Sequence, residues 1–557
     1  MKLTSALKLQ PKTFVPLPSS RPALGMCSPG KSYNIRLLAA GLMFCILAFC
    51  TPAMTAQYAD LFEFTTGNGS YPQWPAVMAQ GRDGNLYGTA PTGGSSNVGV
   101  VFKLTPAGTQ TVIYNFDVTH GSTPNGGLTL GVDGNLYGTA EFGGANAYGN
   151  IFKITPAGVL TVLYNFTGDA DGGYPVAPLI LGTDGNFYGT SYPGSAFKIS
   201  ATGVFTRIAT IPTVSYGPLL QASDGNFYGV TEFGGTSSAG TVYKVAGKKV
   251  TTLFSFDGLH GSYPIGGLVQ AADGYLYGTT TAGGADNAGV IYKISTSGVL
   301  TVVVSFDSVH PLGGYQMYGG LVAANDGNLY GATIWGGTNG DGVFFQLTTG
   351  GVYTVLYNFL ATTGAGAYST PMQDTSGTFF GLTKRGGALG EGVGYSVGAG
   401  VEPFVLPVST LGPVGKTIGI LGGGLKSTTS VAFNGMAASF KVVSDTYLTA
   451  KVPAGETGII AVNTSSGILF SSKIFRVTPK ILSFSPVSGA VGSTVTITGS
   501  GLIQAVNITV GGVRVTSYTV NSDAELTFTV LAGAKTGAIA VTTPGGAASK
   551  KTFTVTP

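Results

Sequence analysis

The sequence predicts an all-β protein: a seven-bladed β-propeller closed by an N-terminal strand, followed by two immunoglobulin-like β-sandwiches. Three observations carry that prediction. First, the phrase DGNLYGTAPTGG at Asp83 returns as DGNLYGTAEFGG from Asp133, DGNFYGTSYPG from Asp184 and DGNFYGVTEFGG from Asp224. It continues as DGYLYGTTTAGG from Asp273, DGNLYGATIWGG from Asp326 and a worn SGTFFGLTKRGG from Ser376. The spacings are 50, 51, 40, 49, 53 and 50 residues, and a period near 50 with several strands per unit marks propeller blades. Second, 90 Gly, 27 Tyr and 31 Phe among 557 residues, with 9% charged side chains, suit short strands joined by tight turns. A disordered chain would be poor in those aromatics. Third, a different repeat begins near Val401, its two copies offset by 77 residues.

Residues 1–56 read as an export signal. Lys31 and Arg36 precede the apolar run Leu37–Cys50, which is short for a membrane span, and TPAMTA follows. Cleavage is expected near Ala53 or Ala56; an uncleaved N-terminal membrane anchor is the alternative. Cys27, Cys45 and Cys50 all lie here, so the mature chain has no disulfide, thiolate nucleophile or cysteine metal site. The segment also holds six bases and no acid. The formal charge of +4 therefore becomes −2 after export, with 22 bases against 24 acids, which leaves no electrostatic footprint for nucleic acid. The protein is expected outside the cytoplasm: extracellular, on the cell surface or in the periplasm.

Residues 57–400 form the propeller. In the second unit, four strands are read at Gly126–Gly131, Asn135–Ala140, Asn150–Thr155 and Leu160–Phe166. Asp133-Gly134 predicts a type I′ hairpin between the first two strands, and TPAG a tight turn between the last two. Seven units carry strands one to three, but fourth strands follow only the first six. The seventh, LFEF at Leu61–Phe64, stands at the start of the ring, where it would complete the last blade and remove an exposed edge.

The pattern DGNLYGT, then a Gly-Gly loop, then G-V-[FY]-K-[IL]-T and T-V-L-Y-N-F, resembles the Gloeobacter/Verrucomicrobia tandem repeat over about Leu61–Gly400. That resemblance implies an exported, often surface-associated repeat protein without an established activity. Kelch-type propellers share the period, but the tryptophan expected in each blade is missing.

Residues 401–479 and 480–557 form the sandwich pair. VGKTIGILGGGL at Val414 aligns with VGSTVTITGSGL at Val491, VAFNG at Val431 with ITVGG at Ile508, and FRVTP at Phe475 with FTVTP at Phe553. Short alternating runs bounded by Gly and Pro are the mark of a β-sandwich. Both units resemble IPT/TIG domains, which implies a spacer or accessory role. GPVGKT at Gly412–Thr417 lacks the first Gly of a phosphate-binding loop, and its twin reads GAVGST, so a sandwich turn is expected. Residues 401–557 carry +6 and the propeller −8, a difference that could draw a partner or dock the two parts together.

The ring should have a tight-turn face, made of the Asp-Gly and TPAG turns, and a long-loop face collecting Asp117–Asn125, Glu141–Tyr148 and their counterparts. The long-loop face and the mouth of the central channel are the default ligand site. Positions shared by every copy serve the scaffold, so binding residues are sought where copies differ. Before the Gly-Gly pair stand Thr92, Phe142, Phe233, Ala282, Trp335 and Arg385, with Glu141 and Glu232 one position earlier in two copies. Phe142, Phe233 and Trp335 with these two carboxylates would suit sugar rings; packing between blades is the competing reading. Trp74 is a further ligand candidate. The shortened third copy would leave a notch in the rim.

His120, His260 and His310 each follow an Asp by three residues, in equivalent loops that symmetry spreads around the ring. A turn role is therefore expected over metal binding, which needs converging ligands. No H-E-x-x-H, G-x-S-x-G, Rossmann or P-loop context occurs, and no cofactor or metal is expected. The favoured function is non-catalytic binding or scaffolding at the cell surface, with a glycan or protein ligand on the long-loop face. The alternative is a polysaccharide hydrolase or lyase using Glu141 and Glu232.

Overall fold

The structure is a computed structural model that describes residues 56–557, except 71, 73–76 and 310–312. The export segment up to residue 55, Trp74 and His310 lie outside the described residues.

Six consecutive four-stranded antiparallel sheets follow one another along the chain. Blade 2 runs Leu128–Leu130, Leu136–Ala140, Asn150–Ile154 and Leu160–Asn165, each strand paired with the next. A seventh sheet combines Met372–Gln373, Phe379–Arg385 and Val393–Gly398 with Gln57–Glu63 from the start of the chain, which pairs antiparallel with Val393–Gly398. These sheets fit propeller blades. Their apolar faces pack in cyclic order. Tyr87, Phe116 and Phe152 lie between blades 1 and 2, and Tyr137, Phe166 and Phe197 between 2 and 3. Tyr330, Phe359 and Tyr395 lie between blades 6 and 7, and Phe64, Phe102 and Phe380 between 7 and 1. Tyr137 stacks on Phe187 at 3.9 Å and Tyr330 meets Phe379 at a tilt at 4.3 Å, adding aromatic contact to area burial.

The repeated phrase is a hydrogen-bonded unit. Asp133 accepts from Asn135 N at 3.1 Å, Asn135 Nδ2 at 2.7 Å and the Tyr137 hydroxyl at 2.8 Å. The set recurs at Asp83, Asp184, Asp224 and Asp326; Asp273 keeps the tyrosine bond, to Tyr277. One carboxylate thus fixes both the turn and a tyrosine that reaches out from the core. The turn is not type I′, because only its glycine has a positive φ. Gly134 N donates to Gly131 O at 3.0 Å with Gly134 at φ 90°, the type I turn with a left-handed glycine that builds a bulged hairpin. In blade 7, Phe380 lacks the hydroxyl and buried Asp374 closes the turn, accepting from Ser376 and Thr378.

After the ring, the chain forms two two-layered units. In the first, Leu406–Pro407, Thr417–Leu421, Tyr447–Lys451 and Phe440–Val442 face Met436–Ala438, Ser430–Phe433, Ile460–Thr464 and Gly467–Phe470 across a core of Ile418, Phe433, Leu448, Val462 and Phe475. The second repeats the plan around Val495, Ile508, Phe528, Val541 and Phe553. Gly412–Thr417 forms a strand end and a turn, Lys416 N donating to Pro413 O at 3.1 Å.

Candidate functional site

The two faces of the ring differ in what they leave open. On the tight-turn face, the first sandwich touches the turns of four blades. Thr446 Oγ1 donates to Arg82 O at 2.8 Å, and the Arg82 guanidinium lies 4.6 Å over the Tyr447 ring. Arg476 Nη1 donates to Ser223 O at 3.1 Å, Asn325 Nδ2 to Glu402 O at 3.0 Å and Phe404 N to Thr375 O at 3.0 Å. These contacts use backbone oxygens and a ring face, not ion pairs between the oppositely charged halves.

Among the described residues, the sandwich contacts named above all fall on the tight-turn face; the long-loop face is built by a second repeated device. Asn165, at the end of a fourth strand, accepts from Ala145 N at 3.0 Å and holds the loop after the Gly-Gly pair. A Cβ on Gly143 would stand 2.3 Å from Val118 O, at φ +73°, so glycine is required there. Thr123, Tyr174, Tyr263 and Gln316 all take positive φ, and their N–H groups donate to Val98, Tyr148, Ala239 and Ala288 of the preceding blade. Non-glycine residues in this region carry backbone strain, and two of them here are tyrosines of this face.

Those tyrosines meet the aromatics that the sequence singles out. Phe142 is 42% exposed and packs edge-on against Tyr174 at 5.5 Å. Tyr174 also contacts Tyr148 at 5.5 Å and Tyr192 at 6.3 Å, extending the patch over blades 2 and 3. Phe233, 46% exposed, packs against Tyr263 at 5.7 Å. Trp335 is only half-buried, but one face is covered by the Arg385 guanidinium at 4.0 Å. The third copy, lacking the loop, turns at Tyr192-Pro193-Gly194, with Tyr192 51% exposed.

The carboxylates lie beside this patch. Glu141 accepts from buried Asn125 at 2.5 Å, and burial pushes its pKa up to about 7. Burial also raises Glu232. Tyr216 links the two: its pKa is raised by burial, then by the charges of Glu232 and Glu141 and by Tyr192. The glutamates thus act on one phenol although they come from blades two apart.

Sequence reasoning missed Tyr174, Tyr192, Tyr216 and Tyr263. For three of them the signal was present in the Tyr-Pro pairs at Tyr174, Tyr192 and Tyr263, which stand in loops of unequal length and so fall out of register; Tyr216, followed by Gly217, carries no such mark. His120 and His260 close turns, each backbone N–H and ring Nδ1 meeting Asp117 or Asp257 within 3.0 Å. Among the described residues, no group of three His, Cys, Asp or Glu side chains could hold a metal ion, and no helix is long and apolar enough to cross a membrane.

No curated protein matches the sequence. A surface glycan-binding protein of Prevotella bryantii is 24% identical with a TM-score of 0.21, over 27% of this chain and 41% of that one. A protein designated SGBP-B, from a complex xyloglucan utilization locus in Bacteroides uniformis, is 26% identical with a TM-score of 0.15, over 27% and 48%. The chain thus spans less than half the length of these two proteins. A fungal alcohol oxidase of the AA5 family is 14% identical with a TM-score of 0.45, over 76% of this chain and 100% of that one. By sequence, the IPT/TIG domain matches residues 479–556, and the Gloeobacter/Verrucomicrobia repeat matches residues 47–205 and 191–395. The chain belongs to the Gloeobacter/Verrucomicrobia repeat family.

Proposed function

We propose that this member of the Gloeobacter/Verrucomicrobia repeat family is an exported, non-catalytic binding protein that takes a glycan on its long-loop face. One observation carries the reading: aromatic rings from neighbouring blades pair on that face, exposed Phe142 with half-buried Tyr174 and exposed Phe233 with exposed Tyr263. Flat apolar rings held in water are what the C–H faces of sugars stack on, and Glu141, Tyr216 and Glu232 offer partners for hydroxyls beside them. The N-terminal basic and apolar segment supports export. The sandwiches serve as spacer and accessory modules, the first spanning the tight-turn side.

A second reading, polysaccharide hydrolysis or elimination, draws on one feature: Glu141 has the raised pKa of a general acid and shares Tyr216 with Glu232. Both readings are tested on the exported protein with a panel of cell-wall, algal and plant polysaccharides, recording retention and reducing-end release together. Retention without release, weakened by Phe142→Ala with Phe233→Ala, is the expected result. Release abolished by Glu141→Gln or Glu232→Gln would replace binding with catalysis.

A further inference from the structure

The long-loop face changes character on blades 6 and 7. The fourth residue after the second-strand aromatic is Glu141 in blade 2 and Glu232 in blade 4, but Lys384 in blade 7. Where buried Asn125 answers Glu141, the Tyr368 ring lies 4.9 Å from Lys384 Nζ. Arg385 follows, 4.0 Å over Trp335 of blade 6, and Tyr318 packs 4.9 Å from Tyr368. Both cations are half-buried. Among the described residues, ion pairs join His120 to Asp117, Lys244 to Asp224 and His260 to Asp257, and none of these gives either cation a carboxylate. Residues 1–55, 71, 73–76 and 310–312 include no acid that could supply one. Arg385 Nη2 is buried with no hydrogen-bond partner.

Two adjacent cations set against ring faces, one of them with a buried N–H group unmet, are an unfinished arrangement. Burial and the neighbouring Arg385 lower the Lys384 pKa, so a counter-charge is what this corner lacks. Guanidinium donors form a planar fork that matches two oxygens of a carboxylate or sulfate, and aromatic walls suit the ring that carries such a group. We infer that Lys384 and Arg385, framed by Trp335, Tyr318 and Tyr368, form a subsite for the anionic group of an acidic polysaccharide, a uronate carboxylate or a sulfate ester. The inference rests on the carbohydrate reading above and names its sugar class. Blades 2 and 4 carry the carboxyls Glu141 and Glu232 at the position that Lys384 takes in blade 7, so the chain lies with its charged residues over blades 6 and 7.

The test measures binding of the exported protein to dextran sulfate, polygalacturonate, neutral dextran and poly-glutamate. At least one acidic polysaccharide should bind tenfold or more tighter than dextran, and which one does separates sulfate from carboxylate. Lys384→Gln with Arg385→Gln should remove that preference at an unchanged unfolding temperature, and Arg385→Lys should restore it in part. Lys480→Gln with Lys535→Gln, equal in charge on the second sandwich, should not affect it. In a Trp74→Phe variant Trp335 is the remaining tryptophan, and its emission should shift as the polyanion binds. Glycans bound without preference for charge would overturn the subsite and leave the carbohydrate reading standing. Poly-glutamate bound as tightly, or an equal loss in the sandwich variant, would also overturn it. If no polysaccharide binds yet inorganic sulfate shifts Trp335 emission, the carbohydrate reading falls and the anion site stays; no shift with either removes both.

Discussion

The two faces of the ring are made by the same repeats yet spend their residues differently. On the tight-turn face, the Asp carboxylate, the Asn amide and the Tyr hydroxyl satisfy one another in blade after blade, and the first sandwich meets what is left. On the long-loop face, the repeated residues hold the loops from within, while rings that differ between copies stand exposed, with half-buried charges that also differ beside them. A repeat that consumes its own polar groups makes a scaffold, and variation on the opposite side can then change without cost to it. The comparison yields predictions of unequal size.

The largest effect should come from the strand that serves neither face. Removing residues 57–64 takes away the outer strand of blade 7, fully buried Phe64 and the Tyr58–Tyr357 stack at 3.9 Å. Losing the Phe64 contacts alone costs about 3–5 kcal/mol, so a circular-dichroism melt should lose its cooperative transition. A truncated chain that melts like the parent would show that this strand does not lock the ring.

Next comes the tight-turn face. Asp133→Ala deletes three hydrogen bonds and should cost about 2 kcal/mol by urea denaturation, with glycan retention unchanged. A loss of retention with intact stability would move function to the wrong face. Phe142→Ala with Phe233→Ala should do the reverse. Both rings are exposed, so stability should move by less than about 0.5 kcal/mol while retention falls.

The faces should also answer pH with opposite signs. Hydrogen bonds from Asn226 and Tyr228 outweigh the effect of burial and hold the Asp224 pKa down at about 2. Its stabilisation is present above its ordinary 3.8 and lost as pH falls toward 2. Glu141, raised from 4.5 to about 7, keeps its proton in the folded state, so stability declines as pH rises from 4.5 to 7. Denaturation of Asp224→Asn and Glu141→Gln across pH would check this: each variant should flatten its own limb, and the same limb flattened by both would contradict the contrast.

Much of the scaffold was legible because repetition averages out local ambiguity. The phrase from Asp83 to Gly94 marked strands, turns and period together. Its turn type was not legible, since an Asp-Gly pair serves both a type I′ turn and the bulged type I turn found here, and the choice lies in the φ of the aspartate. At the candidate site, Phe142, Phe233, Glu141 and Glu232 were found because they break the repeat pattern. Tyr216 and Lys384 draw their meaning from neighbours in other segments, which periodicity does not report. Trp335 stood out by rarity, but its cover by Arg385 follows from how blades 6 and 7 meet.

Hydrogen–deuterium exchange of the exported protein, with and without the polysaccharide it retains best, tests the division between faces most directly. Protection confined to the loops around Phe142, Tyr174, Tyr216, Phe233 and Trp335 is the predicted result. Protection at the Asp-Gly turns or within the sandwiches, with those loops unchanged, would contradict it.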